Sequence, residues 1–338
     1  MHFLRPFSVL AIGVALTAFA ATSSAAPAPL AVLGFQSDGS PTRLIGDNAK
    51  AMTVVGVDGV DLSGPGTVSG PTAADGRQLA AAHAHGLPAV LLVGNWSDAI
   101  DDFSEPLAHE TLRSTKKTDA AATALAKAVA DGGWNGVSVD LESLTPRDAA
   151  GLTRFVSDLH ADLPGGDSLT VCLTAATTLG GYAAMGYDLA GLAASADQIV
   201  LMTYDDHGPW EKTPGPIGPL PWQRASVATL EKTVPAAQIF LGVANYGYAW
   251  RPHSRVALSV AHARVLAAHL HAPARWSAKD GEWTAKGHGS TLWWSDKRSM
   301  NLRLALARKL GVHGIAVWSL GTGDRIPRAT SPPASRAS

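Results

Sequence analysis

The sequence predicts an α/β protein folded as one (β/α)8 TIM barrel, with a small insertion between the seventh and eighth strands. Three observations predict it. Short apolar β-like runs alternate with helical patterns along the chain, which is the layout of parallel β/α units. The runs number eight, enough to close a barrel. No Gly-rich turn follows the first run, where an open doubly wound sheet would announce a nucleotide. The length of 338 residues admits two average domains as well as one large barrel, so the pattern decides.

Each expected strand is an apolar run followed by Gly, Asp, Asn or Ser. In order, Leu30–Phe35 and Ala51–Val57 are the first two. Between the second and third lies Gly64–Gly70, whose glycines lack phosphate-loop spacing and read as a plain loop. The helical pattern Arg77–His85 then leads to the third strand, Ala89–Val93. Ala120–Asp131 precedes the fourth strand, Gly136–Leu141, and Pro146–Asp162 precedes the fifth, Leu169–Ala175. Gly186–Ala194 leads to Gln198–Met202, and Trp222–Thr233 to Ile239–Ala244. The interval from Trp250 to Ser290 is too long for one loop and holds a helical pattern, His262–His271, and an aromatic stretch, Trp276–Trp283. It reads as an insertion over residues 251–290. Ser299–Leu310 and the eighth strand, Gly314–Trp318, finish the series.

At the N-terminus, Arg5, an apolar stretch from Phe7 to Ala20 and small residues through Ala26 have the layout of a secretory signal peptide. Ser23 and Ala25 fit the small-x-small rule, so cleavage is expected after Ala25, giving a signal over residues 1–25 and a barrel over 26–326. The alternative, an uncleaved anchor, is disfavoured because the run is short against the ~20 residues of a spanning helix. The expected location is periplasmic or secreted, with no stable membrane span after cleavage. Residues 327–338, rich in Pro, Ser, Ala and Arg, read as a flexible tail.

Composition excludes several function classes. With 27 Lys+Arg against 28 Asp+Glu, the formal net charge of -1 implies no nucleic-acid partner. The 46% apolar and 16% charged content indicates a chain with a sizeable core. One cysteine, Cys172 in an apolar run, rules out an intrachain disulfide and reads as a buried filler. Twelve histidines include no H-E-x-x-H, and no metal or cofactor is expected. No G-x-S-x-G elbow is present, so Ser138 is a poor nucleophile candidate. Trp293 and Trp294 are given no role.

The sharpest chemical signal lies in the fourth strand. Alternation puts Ser138, Asp140 and Glu142 on one face and Val137, Val139 and Leu141 on the other. In a barrel the helices cover the apolar face, so the acids point inward at the C-terminal mouth. Two carboxyls so close disfavour each other's ionisation, and one should hold a proton near neutral pH. For a lone D-x-E, a solvated edge or a structural ion pair would be the better reading.

Context reverses that. The segment resembles the signature of glycoside hydrolase family 18, D-G-x-D-x-D-x-E at the end of the fourth strand, with Gly136, Asp140 and Glu142 fitting. Asn135 replaces the first acid and Ser138 the middle one. Leu201–Asp205 resembles the sixth-strand M-x-Y-D motif; Leu241–Trp250 and Gly314–Gly321 resemble the seventh- and eighth-strand segments. The likeness is strongest to the bacterial branch containing spore-cortex-lytic N-acetylglucosaminidases, where Pro-Ile-x-x-x-Trp follows the sixth strand, as Pro216–Trp222 does here. The LysM cell-wall modules common in that branch are not evident.

The resemblance implies a glycosidase cleaving β-1,4 bonds next to N-acetylglucosamine by substrate-assisted, retaining catalysis. It implies that Glu142 protonates the leaving oxygen and later activates water, and that Asp140 orients the 2-acetamido group. Tyr204 would hydrogen-bond the acetamide, Met202 and Asp205 would line the same subsite, and Trp318 would floor it. Ser138, which can hydrogen-bond Asp140 but cannot hold a charge, counts among the substrate-binding candidates. Tyr246, Asn95 and Trp96 are further sugar-contact candidates. The expected partner is a glycan containing N-acetylglucosamine, bound by a monomer. Peptidoglycan is expected ahead of chitin; the alternatives are a chitinase or chitooligosaccharide hydrolase, and a non-catalytic, chi-lectin-like binder.

Overall fold

The computed structural model describes residues 30–329. The proposed signal, and the tail from Thr330 onward, lie outside the described residues. Eight parallel strands form the barrel: β1 (Ala31–Ser37), β2 (Val54–Gly64), β3 (Ala89–Gly94), β4 (Gly136–Asp140), β5 (Ser168–Thr174), β6 (Gln198–Met202), β7 (Ile239–Ala244) and β8 (Gly314–Trp318). Each pairs with its sequence neighbours, and β1 pairs with both β2 and β8, which closes the ring. The expected (β/α)8 TIM barrel is therefore the fold.

Two apolar layers hold it. Inside the ring pack Leu33, Phe35, Leu92, Cys172, Val200, Met202, Phe240 and Ala316. Outside it, Val137 and Val139 of β4 and Leu141 just beyond it join a much larger shell under the helices. Alternation along β4 thus splits as the sequence implies, with the apolar set outward and the polar set inward.

Helices occur near every predicted segment, at Ala73–Ala84, Thr115–Gly132, Ala149–Asp162, Leu189–Ser195, Leu220–Leu230 and Lys297–Leu310. Capping sets their boundaries: Thr72 and Asp75 form a reciprocal capping box, and Asp296 accepts from the backbone N–H of Arg298 and Ser299. Three further helices, Arg43–Asn48, Glu105–Leu112 and Leu179–Ala184, run only six to eight residues, too few to register as a periodic pattern.

Two expectations need correction. Gly64–Gly70 is no plain loop. β2 runs on to Gly64 and turns back through Gly66, at φ +83°, into Thr67–Val68 as a hairpin. The insertion also exceeds residues 251–290. Strands Gly247–Arg251, Ser254–Leu258, Arg275–Ser277, Glu282–Gly287 and Ser290–Trp294 form an antiparallel sheet, covered by helix Val260–His269. Its first strand follows β7 after two residues and is equally apolar, so patterning could not separate them. Trp294 is buried there, stacked on Trp283 at 6.2 Å and 11°.

A buried ion pair joins insertion and barrel. Glu282 accepts from the N–H groups of Ile217 and Gly218, both at 2.8 Å, and from Ser295 Oγ at 3.1 Å. Arg303 pairs with Glu282 at 3.3 Å and donates to the carbonyls of Gly218 at 2.5 Å and Asp280 at 3.0 Å. The segment that follows β6 is thereby pinned to the insertion and to helix Lys297–Leu310.

Candidate active site

β4 delivers its acids because Gly136 admits β5 at close range. At φ +141°, a Cβ on Gly136 would lie 2.0 Å from the Ser168 carbonyl oxygen. Two residues on, Ser138 is fully buried inside the ring, with Oγ 3.5 Å from Cys172 Sγ. It neither lines the cleft nor hydrogen-bonds Asp140, a correction to its candidacy for substrate contact, because its side chain sits one layer deeper. Asp140 is 7% exposed, and its Oδ1 is buried without a hydrogen-bond partner. Glu142 lies just past the strand end, where the backbone has left the sheet.

Glu142 is held there by Asn95. The buried Asn95 amide accepts from Glu142 N–H at 2.9 Å and donates to its carbonyl at 3.0 Å and to that of Ser104 at 3.2 Å. Asn95 is 0% exposed, so it stands behind the acid and not against a sugar, a correction to its candidacy for glycan contact. Asn135 lies at the far end of β4, its Oδ1 accepting from Ala89 N–H at 2.9 Å. The loss of the first acid of the motif therefore touches the barrel's base and leaves the mouth unaltered.

A cleft of about 620 Å³ opens at the C-terminal mouth and brings together Asp140, Glu142, Met202, Tyr204, Asp205, Trp96 and Trp318. Trp318 rests on Phe35 at 5.6 Å, and Trp96 is 39% exposed on the opposite wall. Asp205 takes a left-handed backbone, φ +65°, and accepts from the hydroxyls of Tyr246 at 2.5 Å and Tyr248 at 2.8 Å. Tyr246 consequently lines an adjoining 270 Å³ recess with Tyr248 and Trp318.

Sequence reasoning missed Asp58 and Asp61 of β2, which line the same cleft. Three apart, they would face opposite ways on a regular strand. The register shifts between Asp58 and Val60, and this irregularity brings both to the interior. Through Leu92, Asp58 is in register with Ser138, so an acid from β2 occupies the layer where β4 has lost one. Asp61 Oδ1 would be 2.8 Å from a Cβ on Gly94, the residue standing between it and Asp140.

The electrostatics follow from burial among acids. Burial pushes Asp140 up to about 7, helped by the negative charges of Asp58 and Asp61. Burial raises Asp58 to about 6, with Asp61, Asp38 and Asp75 adding to it. Glu142 is held well above the ordinary carboxyl range by burial, then by Asp140, Asp205 and Asp102, with a Thr174 hydrogen bond opposing. Burial also raises Tyr204, which stays a neutral hydroxyl donor. The site therefore presents a protonated carboxyl beside an acid with an unspent acceptor. Among the described residues, no three His, Cys, Asp or Glu side chains converge as a metal site.

A family model described as glycosyl hydrolases family 18 matches residues 72–323, which include the cleft acids from β3 onward. The chain belongs to glycoside hydrolase family 18. Within that family of glycosidases, it is 25% identical over 238 residues to a cortical fragment-lytic enzyme of Bacillus anthracis, covering 65% of this chain and 54% of that one. The chain spans about half the length of the curated relatives it matches in this way. The crystal structure of a chitinase from Chromobacterium violaceum superposes with a TM-score of 0.79 at 28% identity, over 87% of this chain and 95% of that one. A spore cortex-lytic enzyme of Bacillus cereus shares the fold at a TM-score of 0.76 and 20% identity, over 89% and 72%.

Proposed function

We propose that the protein is an exported retaining glycosidase that cleaves β-1,4 bonds at N-acetylglucosamine in peptidoglycan glycan strands. The observation that carries this reading is the buried Asp140–Glu142 pair. Protonated Glu142 gives its proton to the glycosidic oxygen as the bond to the anomeric carbon breaks. The carbonyl oxygen of the substrate's own 2-acetamido group closes on that carbon, forming an oxazolinium ring. Asp140 accepts the acetamide N–H on its unpartnered Oδ1 and stabilises the positive charge. Tyr204 fixes the acetamide, and Trp318 supplies an apolar face for the sugar ring. Glu142, now a carboxylate, takes a proton from water as the water opens the ring, and two inversions give net retention. No protein nucleophile enters, in line with the substrate-assisted exception among glycoside hydrolases.

The cell-wall substrate is supported by likeness to cortical fragment-lytic enzymes and by the expected export signal. Chitin is the second reading, favoured by the Chromobacterium violaceum chitinase, 95% of whose chain is covered. The test is incubation of wild type and Glu142→Gln with purified sacculi, chitooligosaccharides and crystalline chitin, with mass analysis of products. Muropeptide or glycan-strand products from wild type alone are expected. Chitin degradation without release from sacculi would overturn the choice of substrate.

A further inference from the structure

A row of aromatic side chains leads away from the catalytic cleft. The recess lined by Tyr246, Tyr248 and Trp318 reaches Ala257 and Leu258 of the hairpin formed by Gly247–Arg251 and Ser254–Leu258. Tyr246, Tyr248 and Trp250 follow at two-residue intervals, with ring centroids 5.4 and 6.1 Å apart. Their side chains share a face and are nearly buried, at 7%, 7% and 4% exposure, and the row spans ~13 Å from Tyr246 to Trp250 toward the hairpin tip. Across the hairpin, Ala257 is paired with Tyr248 and Arg255 with Trp250. Trp210, 63% exposed, stands edge-on over Tyr248 at 5.9 Å and offers a free ring to a passing sugar.

At the tip lies a second cavity, of about 550 Å³, walled by Lys212, Arg251, His253 and Arg255, with Trp250 at its back. Lys212, Arg251 and Arg255 form no ion pair with a carboxylate among the described residues. The nearest acid in sequence, Glu211, turns its Oε1 to Gly208 N–H at 3.3 Å, while its carbonyl accepts from Trp250 Nε1. This end of the barrel is thus polarised, with Asp38, Asp58, Asp61 and Asp98 around the catalytic cleft and unpaired cations around the tip cavity. A neutral polysaccharide gains nothing from such a tip. A polymer bearing carboxylates is repelled at the acidic end and gains from cations that seat its charge away from it.

We infer that this basic cavity is a distal subsite for the carboxylates of an acidic amino-sugar strand, namely those carried on muramic acid: the lactyl carboxylate where no stem peptide is attached, and the stem peptide's own carboxylates where one is. The inference rests on the peptidoglycan reading and gives that reading a selectivity element. Arg255, paired with Trp250 and so on the face of the aromatic row, offers a planar guanidinium suited to a bidentate grip on carboxylate, while Arg251, paired with Ser254, adds positive charge from the other side of the tip.

The test uses the full chain and the double variant Arg251→Gln/Arg255→Gln, whose two positions are exposed and outside the catalytic machinery. Three soluble substrates are compared: glycan strands with free carboxylates, the same strands with carboxyls amidated, and chitohexaose. The variant is expected to lose about tenfold in kcat/KM on free-carboxylate strands at low salt, and less as salt screens the contact. On amidated strands and chitohexaose it should match wild type within about twofold. Equal rates for variant and wild type on free-carboxylate strands would overturn the subsite, as would an equal loss on all three substrates. If wild type cleaves chitohexaose but neither strand preparation, the peptidoglycan reading fails, and this occupant with it.

Discussion

Replacing Asn95 by alanine tests whether the geometry of the acid is built behind it. Asn95 makes three buried hydrogen bonds, two of them to the backbone of Glu142. At ~1 kcal/mol each, their loss costs ~3 kcal/mol, with a share due to the Glu142 N–H and carbonyl left without partners. For a chain of this size that corresponds to a fall in Tm of about 4 °C. The catalytic cost has another origin. Released from its clamp, Glu142 no longer sits at a fixed distance from the glycosidic oxygen, and a misplacement of ~1 Å costs ~10²-fold in rate. Calorimetry and steady-state kinetics on a soluble oligosaccharide should therefore find lower Tm and kcat reduced ten- to a hundredfold, with KM nearly constant, because the acid acts in the transition state. A variant that melts early but keeps kcat within about twofold would refute the positioning role and leave Asn95 a purely structural residue.

Other variants probe the charges. Wild-type kcat/KM should decline as pH rises through the elevated value of Glu142, since only the protonated carboxyl can donate, and Glu142→Gln should retain under about a hundredth of the rate at any pH. Asp58, raised to about 6, holds its proton more tightly folded than unfolded, so the wild-type fold loses stability as pH rises from 4 through 6. Asp58→Asn should gain ~2 kcal/mol over wild type at pH 8 and nothing at pH 4, read by urea titration at both values; equal gains would show that the effect is not titration. Tyr248→Phe removes one of the two donors to Asp205 and should cost about 1–2 kcal/mol of stability by urea titration; an unchanged midpoint would show that Tyr246 alone satisfies the carboxylate.

Most of the fold was legible because the barrel strands other than β2, which runs on as a long hairpin arm to Gly64, are short, apolar and bounded by a turn-former. β6, β7 and β8 fall where the pattern puts them, and alternation correctly split β4 into its two faces. The acids of β4 were readable for the same reason. Asp58 and Asp61 were not, because their convergence depends on a local irregularity, and alternation is silent where the strand slips. Asn95 was legible as a residue near the site but not in its task, since which face of a loop amide is spent on backbone is decided by tertiary packing. Tyr248 was hidden by the continuity of β7 with the insertion's first strand, and the tip cations by their separation, with Lys212 some forty residues from the hairpin.

The Glu282–Arg303 pair bears on how this groove could diverge. Removing either partner would strand the other charge in the interior, a loss of several kcal/mol, so neither can drift by single substitutions. The loop after β6 and the insertion wall are consequently inherited as one rigid part. Variation is left to the hairpin tip beyond them, where residues are exposed and support nothing. A lineage could exchange Arg251 and Arg255 for neutral or acidic residues and meet a different polymer while the catalytic mouth stayed in register. The barrel would keep its reaction while its diet changed at the rim.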